Sequence, residues 1–451
     1  MVNFICFSPK EDVTKFRIGN VKMVLPLLMN ACDPKAEGGA GDARAAYRLH
    51  QGLLRLGINS QMLVQDKEID DPTVIGYPNK LGKIISKVRP SLDALPLKLY
   101  PNRKRNPVFM RLQWLPNNLT SQITTLNPDI INLHWICDGF VPIEAVAKFN
   151  KPIVWTFHDL WAFTGGCCYS QECDRYTKSC GRCPALGSNQ AFDLSSWVWR
   201  RKAKAWQNLK LTIVTPSKWL AECAQSSSLF QNSHIKVIPN GLDIGIYKPT
   251  ERQTARKLLN LPQNKQLVLF GALNATSNKR KGFHLLQGAL QKLSSCEWKD
   301  KIELIIFGAS QPKNPVDLGF KVYYQGRIND EKKLALLYSA ADVMIVPSIE
   351  EAFGQTASES LACGTPVVSF DSTGLKDIVE HQKNGYRAKC FSDDDLANGI
   401  IWVIENKERH EKLCERAREK AEQEFNLELI TRSYLSVFEE ARTRFSLALA
   451  T

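Results

Sequence analysis

Short apolar runs recur along the chain, mostly unbroken by polar positions, and alternate with longer stretches of mixed polarity. In the first half they are VKMVLPLL (21–28), SQMLV (60–64), DIINLHW (129–135), PIVWTFH (152–158), LTIVTPS (211–217) and IKVIPNG (235–241). In the second they are QLVLFGA (266–272), IELIIFG (302–308), VYYQG (322–326), VMIVPS (343–348) and TPVVSF (365–370). Continuous rather than alternating apolar runs are what parallel strands covered on both faces require. Between them, ARAAYRLHQGLLRLG (43–57), EKKLALLYSA (331–340) and TASESLACG (356–364) read as helices. This βαβα rhythm, run through twice, predicts an α/β chain of two doubly wound domains. PNGLDIGIYKP (239–249) has turn and linker chemistry and marks the border. We expect a first domain over 1–243, a second over 244–425, and a closing helix over 426–451 that packs back on the first.

Composition supports this reading. The 451 residues suit two domains of roughly 200 residues each. At 44% hydrophobic and 23% charged, the chain has an ordinary globular composition. No apolar run reaches the ~18 residues of a membrane-spanning helix. MVNFICFSPKEDVTKF lacks a basic start followed by an unbroken apolar stretch, so a cytoplasmic protein without a secretory signal is expected.

Charge changes the picture. Lys and Arg number 59 against 46 Asp and Glu, a net +13 that calls for an anionic partner. Residues 79–113 hold Lys80, Lys83, Lys87, Arg89, Lys98, Arg103, Lys104, Arg105 and Arg111 against the single acid Asp93, with Leu, Ile and Phe interleaved and Trp114 just beyond. A second basic stretch, SSWVWRRKAKAWQNLK (195–210), carries three tryptophans. Basic heads with apolar anchors suit an anionic membrane surface; solvated helix faces with their tryptophans in the core are the alternative. Nothing resembles a nucleic-acid module.

Thirteen cysteines are present, and Cys168-x4-Cys173-x6-Cys180-x2-Cys183 has four thiols closing on a C-x2-C. Such a set can hold a structural zinc ion tetrahedrally, with Cys167 as a spare; a disulfide pair is the other reading.

The stretch EEAFGQTASESLACGTPVVSF (350–370) sets Glu351 and Glu359 on either side of a turn. VMIVPS ends at Ser348, so Glu351 falls in a strand-to-helix loop at the carboxyl edge of a parallel sheet, where open α/β folds bind ligands. Glu359 is expected about a turn inside the helix, on its exposed flank. The unpaired N–H groups at the helix start attract phosphate, and carboxylates accept from vicinal hydroxyls. A sugar, a diphosphate and a ribose in a row would satisfy all three, which describes a nucleotide-sugar. Acids placed to stabilise a helix's first turn are the plainer explanation.

These residues resemble the E-x7-E signature of family 4 retaining glycosyltransferases. PSKWL (216–220), PNGLD (239–243), GALNATSNKRKGFHLL (271–286), YQGRI (324–328) and SAADVMIVPS (339–348) are similar to further landmarks of that family, in the family's order. So are GGAGDARAAYRLHQGLLRLG (38–57) and TFHDLWAFTGGC (156–167). The likeness is poor over 1–20 and 65–125.

The resemblance implies the GT-B architecture, two Rossmann-like doubly wound domains facing across a cleft, with acceptor side first and nucleotide-sugar side second. It implies that Glu351 reads donor-sugar hydroxyls and Glu359 the ribose. Backbone groups of Phe353, Gly354, Gln355 and Thr356 would line sugar and phosphate, and Arg327 and Ile328 would flank the base. Lys281 would bind the diphosphate, whose departure develops charge. Ala272 stands where many relatives carry Arg, and Arg280, or failing it Lys279, is the expected substitute. Gly38 and Gly39 would let a loop approach the diphosphate. His158 would stand near the reacting carbon, with Asp159 and His134 on the acceptor side. The implied reaction retains configuration by front-face substitution, needs no divalent ion or catalytic cofactor, and does not use Glu351 as nucleophile. The acceptor would be a glycan or lipid-linked saccharide in cell-surface polysaccharide assembly, at the cytoplasmic face of the membrane. Other GT-B chemistries (nucleotide-sugar epimerase, sugar-phosphate synthase) and a non-catalytic membrane- or nucleic-acid-binding protein are the alternatives.

Overall fold

The computed structural model describes residues 24–450 except 40, 78, 105–109, 275 and 314, and side chains through 448. Residues 21–23 of the first expected strand, and Arg105, lie outside the described residues. The chain forms two compact units: residues 1–241 with 428–451 (unit 1), and 242–427 (unit 2).

Unit 1 is built on seven strands: β1 (Pro26–Cys32), β2 (Gln61–Asp66), β3 (Val74–Ile75), β4 (Ile130–Leu133), β5 (Ile153–Thr156), β6 (Thr212–Thr215) and β7 (His234–Val237). They lie in the order β3-β2-β1-β4-β5-β6-β7, and every pairing is parallel. Unit 2 has six: β8 (Gln266–Gly271), β9 (Ile302–Phe307), β10 (Val322–Tyr324), β11 (Val343–Val346), β12 (Val367–Phe370) and β13 (Gly385–Ala388). Their order is β10-β9-β8-β11-β12-β13, again all parallel. Each sheet reverses direction of growth at its centre, between β1 and β4 and between β8 and β11. Loops leaving the carboxyl ends of those strands diverge there and open a crevice.

The unbroken apolar runs have a direct cause. Along β8, Leu267 and Leu269 enter one core cluster while Val268 and Phe270 enter another on the opposite face. Both faces of that strand are covered, so no position along it is free to be polar.

In unit 1 one sheet face, with Leu28, Val154 and Val214, is covered by Ile430, Tyr434, Val437 and Phe438. These four belong to the C-terminal helix Leu427–Ala450.

The tryptophan-rich basic stretch contributes one face to the core. It forms the helix Leu194–Trp206, capped by Asp193, whose side chain accepts from Ser196 N. Lys202 is fully buried; its Nζ donates to the carbonyls of Trp161 and Thr164 and lies 3.6 Å from the centre of the Trp161 ring. Burial lowers its pKa to about 7. Trp206 packs edge-on against Trp155, with ring centres 5.0 Å apart, and Arg201 pairs with Glu144 at 2.7 Å. Within 195–210, Lys202 and Trp206 close the core of unit 1, whereas Trp197 is exposed.

Phe438 is 1% exposed, and Phe438→Ala would remove a full aromatic ring from the face of the sheet. We expect the variant to lose about 3–5 kcal/mol of unit 1 stability. Denaturant unfolding followed in unit 1 would show this, while the unit 2 transition stays in place.

Candidate active site

In unit 2, two loops leave the sheet at its point of reversal. The first follows β8 and carries the turn Lys279–Lys281; the second follows β11 and leads through Glu351 into the helix Gln355–Ala362. Asn278 caps the first by accepting from Arg280 N. The loops are joined backbone to backbone, Ile349 N donating to Arg280 O at 2.8 Å. Arg280 Nη1 donates to Glu350 O at 2.6 Å. Gly282 makes this closeness feasible: it sits at φ +72°, and a Cβ there would lie 1.8 Å from Pro347 O.

The joined loops bring three charges together. Lys281 Nζ bonds to Glu351 Oε1, Arg280 Nη1 lies 3.2 Å from Glu351 Oε2, and Ser348 Oγ donates to Glu351 Oε1 at 3.1 Å. Burial alone would raise the Glu351 pKa, but the two cations hold it down at about 2. The sign follows: this carboxylate's stabilisation is complete above its ordinary pKa of 4.5 and fades as pH falls towards 2. Burial lowers the Lys281 pKa despite Glu351 beside it. The expected second cation is thus in contact with the same carboxylate as Lys281, and Ala272 is buried.

The helix Gln355–Ala362 starts at Gly354, φ +110°, without a side-chain cap. Its first turn therefore presents main-chain N–H groups of the kind that favour an anion. Phe353 points into the core, edge-on to Phe425 at 5.7 Å between ring centres, which leaves its backbone for any ligand. Glu359 corrects the expectation of an exposed flank. It is 1% exposed, and its Oε2 accepts from the buried Tyr338 hydroxyl at 2.9 Å. Ile328 is buried in the same core, whereas Arg327 is exposed and donates to Asn329 Oδ1 at 3.1 Å.

In unit 1 the corresponding edge holds His158, just past β5, and His134, just past β4. His134 is 3% exposed and does not reach the surface; it stands behind His158, with His134 Nδ1 and His158 Nε2 at 2.9 Å. Asn132 decides the protons. Its Nδ2 donates to Val154 O and Thr156 Oγ1, both at 3.1 Å, so its Oδ1 accepts from His134 Nε2 at 3.0 Å. With that proton on Nε2, His134 Nδ1 is an acceptor, and His158 donates to it from Nε2. A neutral His158 is left with a bare Nδ1, able to accept a proton or a hydroxyl hydrogen bond. The chain ends at the Tyr434 hydroxyl, 3.2 Å from Thr156 Oγ1. Asn132 and Tyr434 were not singled out from sequence; a lone amide inside the apolar run IINL was the available signal.

Asp159 is committed within unit 1. It accepts from Trp161 N at 2.8 Å, from Trp135 Nε1 at 2.9 Å and from the Cys168 thiol. Its effect is to orient the half-buried Trp135 indole. Near it Asp42, also missed, is pushed up to about 7 by burial and accepts from Asn30 Nδ2 at 3.2 Å. The Gly38–Gly39 loop is held by Asp33, which accepts from Lys35 N at 2.7 Å and Ala36 N at 3.1 Å. A Cβ on Gly39 would lie 2.4 Å from Asp33 O, so the loop's own backbone already requires glycine there.

The cysteine set is corrected. Cys168 turns to Asp159, while Cys167, taken as a spare, contacts Cys183 and lines one small cavity with Cys173, Cys180 and Cys183. The described cysteines are free thiols. Among the described residues no group of three or more His, Cys, Asp or Glu is placed to hold a metal ion, so the Cys168-Cys173-Cys180-Cys183 zinc reading is withdrawn.

Two parallel-sheet, Rossmann-like units, each doubly wound about a point of strand reversal, define the GT-B class of glycosyltransferase. Comparison with known proteins agrees: the family "Glycosyltransferase Family 4" matches residues 40–245 and "Glycosyl transferases group 1" matches 251–420. The chain belongs to the group 1, family 4 glycosyltransferases. It is 24% identical to the putative colanic acid biosynthesis glycosyl transferase WcaC of Escherichia coli over 80% of this chain and 86% of that one. Sucrose-phosphate synthase of Thermosynechococcus elongatus shares the fold at TM-score 0.69 and 20% identity, over 95% of this chain and all of that one. Anabaena HepE, solved with UDP-glucose, does so at TM-score 0.60 and 17% identity, over 92% of this chain and 100% of that one.

Burial lowers the His158 pKa to about 4. We expect nitrogen-detected NMR of its imidazole to show it neutral, protonated at Nε2, down to pH 5. An unfolded chain takes up this proton near 6.5, so unit 1 loses stability as pH falls from 6.5 towards 4. A His158 titration near 6.5 would contradict the hydrogen-bond assignment.

Proposed function

We propose that the protein is a retaining glycosyltransferase that moves a sugar from a nucleoside-diphosphate sugar to a glycan or lipid-linked acceptor in polysaccharide assembly. The observation that carries this is the Glu351 carboxylate held between Lys281 and Arg280, beside an uncapped helix start at the reversal of the unit 2 sheet. A donor diphosphate takes over the two cations, and the released Glu351 accepts from the sugar's hydroxyls. Glu359, with Tyr338 fixing one of its oxygens, reads the ribose. Backbone groups of Gly354, Gln355 and Thr356 hold the phosphate, and the Arg327–Ile328 segment borders the base.

As the glycosidic bond breaks, negative charge grows on the departing phosphate oxygen, and Lys281, Arg280 and the helix start stabilise it. This is the work a divalent ion does elsewhere, and it supports a metal-independent reaction. The acceptor side is assigned to unit 1, where His158 Nδ1 meets a substrate hydroxyl and His134 keeps it in that tautomer. Gly38 and Gly39 form the loop on the diphosphate side. The colanic acid assembly ascribed to Escherichia coli WcaC and the UDP-glucose bound by Anabaena HepE support the substrate classes. The enzyme works at the cytoplasmic face of a membrane.

Thermal shift and turnover with a panel of nucleoside diphosphates and their sugars test this. Lys281→Ala should abolish stabilisation by the diphosphate and lower kcat by roughly 10²–10³-fold. Glu351→Gln should bind the free diphosphate at least as well as the native protein, because a competing anion is gone, while sugar transfer falls by roughly 10²-fold. If no nucleoside diphosphate raises the Tm of the native chain, or donor is turned over without a saccharide acceptor, the reading is wrong.

A further inference from the structure

The helix Lys80–Asp93 in unit 1 is amphipathic in the reverse of the usual sense. A surface helix normally turns its apolar stripe to the core. Here the buried positions are Gly82, Ser86 and Asp93. The attachment is polar: Asp93 accepts from Leu112 N at 3.0 Å and Trp114 N at 3.3 Å, and Arg89 donates to Gly139 O at 2.8 Å and Pro116 O at 2.9 Å. Asn79 caps the first turn by accepting from Gly82 N at 2.7 Å. The helix is thus fastened along one narrow polar edge.

The apolar side faces solvent. Leu81 is 66% exposed, Ile84 61%, and Ile85, Val88 and Leu92 are exposed as well. At 3.6 residues per turn these five fall within an arc of about 100°. The following turn, Leu95–Leu99, extends the surface with Leu95 and with Leu99 at 78% exposure. Lys80, Lys83 and Lys87 form an adjoining row, and Lys98 and Lys104 follow in the chain; all five are exposed. Lys87 pairs with Glu68 at 3.0 Å, and the acid of the helix itself, Asp93, is buried. No helix among the described residues is long and apolar enough to cross a membrane.

We propose that this face, Leu81, Ile84, Ile85, Val88, Leu92 and Leu99 with its lysine border, docks unit 1 onto an anionic lipid bilayer. The chemistry selects that partner. Apolar side chains beside ammonium groups match the boundary between acyl chains and anionic headgroups, each supplying an attraction the other lacks. A second copy of the chain is a poorer occupant, since a two-fold contact would bring the lysine rows of both copies together. The helix lies in the plane of the lipid surface, with its polar edge already committed to the protein. The inference goes beyond the transferase reading and does not need a donor to be tested.

The test is vesicle flotation of the full-length protein, without nucleotide, on phosphatidylcholine vesicles with and without phosphatidylglycerol. The native protein should float with the anionic vesicles only, and added salt should weaken this. Leu81→Glu with Ile84→Glu should lower binding by roughly tenfold with Tm unchanged, since both side chains are exposed. Lys80→Gln with Lys83→Gln should lower it severalfold. Equal flotation of the native protein and the Leu81/Ile84 variant, or no flotation of the native protein, would overturn the proposal. So would a native dimer in light scattering that the same variant dissociates. None of these outcomes bears on transfer activity measured with a water-soluble acceptor.

Discussion

A single carboxylate organises the chemistry of unit 2. Glu351 is almost fully buried, and a buried anion is tolerated only when cations and donors surround it. Lys281, Arg280 and Ser348 do so, and in doing so they tie the loop after β8 to the loop after β11. Other features serve the same closure. Gly282 removes the side chain that would hold the loops apart, and the Ile349–Arg280 main-chain bond sets their register. The cluster carries one positive charge in excess, so a more highly charged anion can replace the carboxylate as its partner. In the proposed reading that anion is the donor diphosphate, and Glu351 holds the site's shape as a placeholder of the same sign.

Unit 1 uses a different device. Among the described residues no comparable ion cluster surrounds His158; a run of neutral groups from Tyr434 through Thr156, Asn132 and His134 assigns the protons instead. Burial keeps both imidazoles uncharged, lowering His134 well below its ordinary range. One unit therefore meets charge with charge, while the other offers a lone pair whose position is set by an amide two bonds away.

Much of the fold was legible because parallel strands covered on both faces must be continuously apolar. Each of the strand runs read from sequence overlaps a strand, although 21–28 meets β1 only over 26–28. The ones not read, β3 and β13, are sheet-edge strands of two and four residues, too short or too polar to leave such a run. The two basic cations and Glu351 were legible through their motifs. The environment of Glu359 was not, because helical periodicity alone does not reveal that Tyr338 on a neighbouring helix offers it a buried donor. The cysteines show a sharper limit. Cys167 and Cys168 are adjacent, and the chain sends one towards Cys183 and the other towards Asp159. Spacing counted along the chain cannot tell which of two neighbours faces inward.

The chain's route between the units has a consequence of its own. Unit 2 is continuous from 242 to 427, whereas unit 1 is interrupted and completed only by the last helix. The outgoing and returning segments are clasped, Leu242 N donating to Phe425 O at 2.7 Å and Leu427 N to Leu242 O at 2.8 Å. In topological terms the second unit is a cassette spliced into the first, entered and left through one doorway. A fragment ending at residue 245, where the family 4 match stops, would expose a bare apolar sheet face. Excising the cassette and bridging its neighbouring ends with a short linker would leave that face clothed.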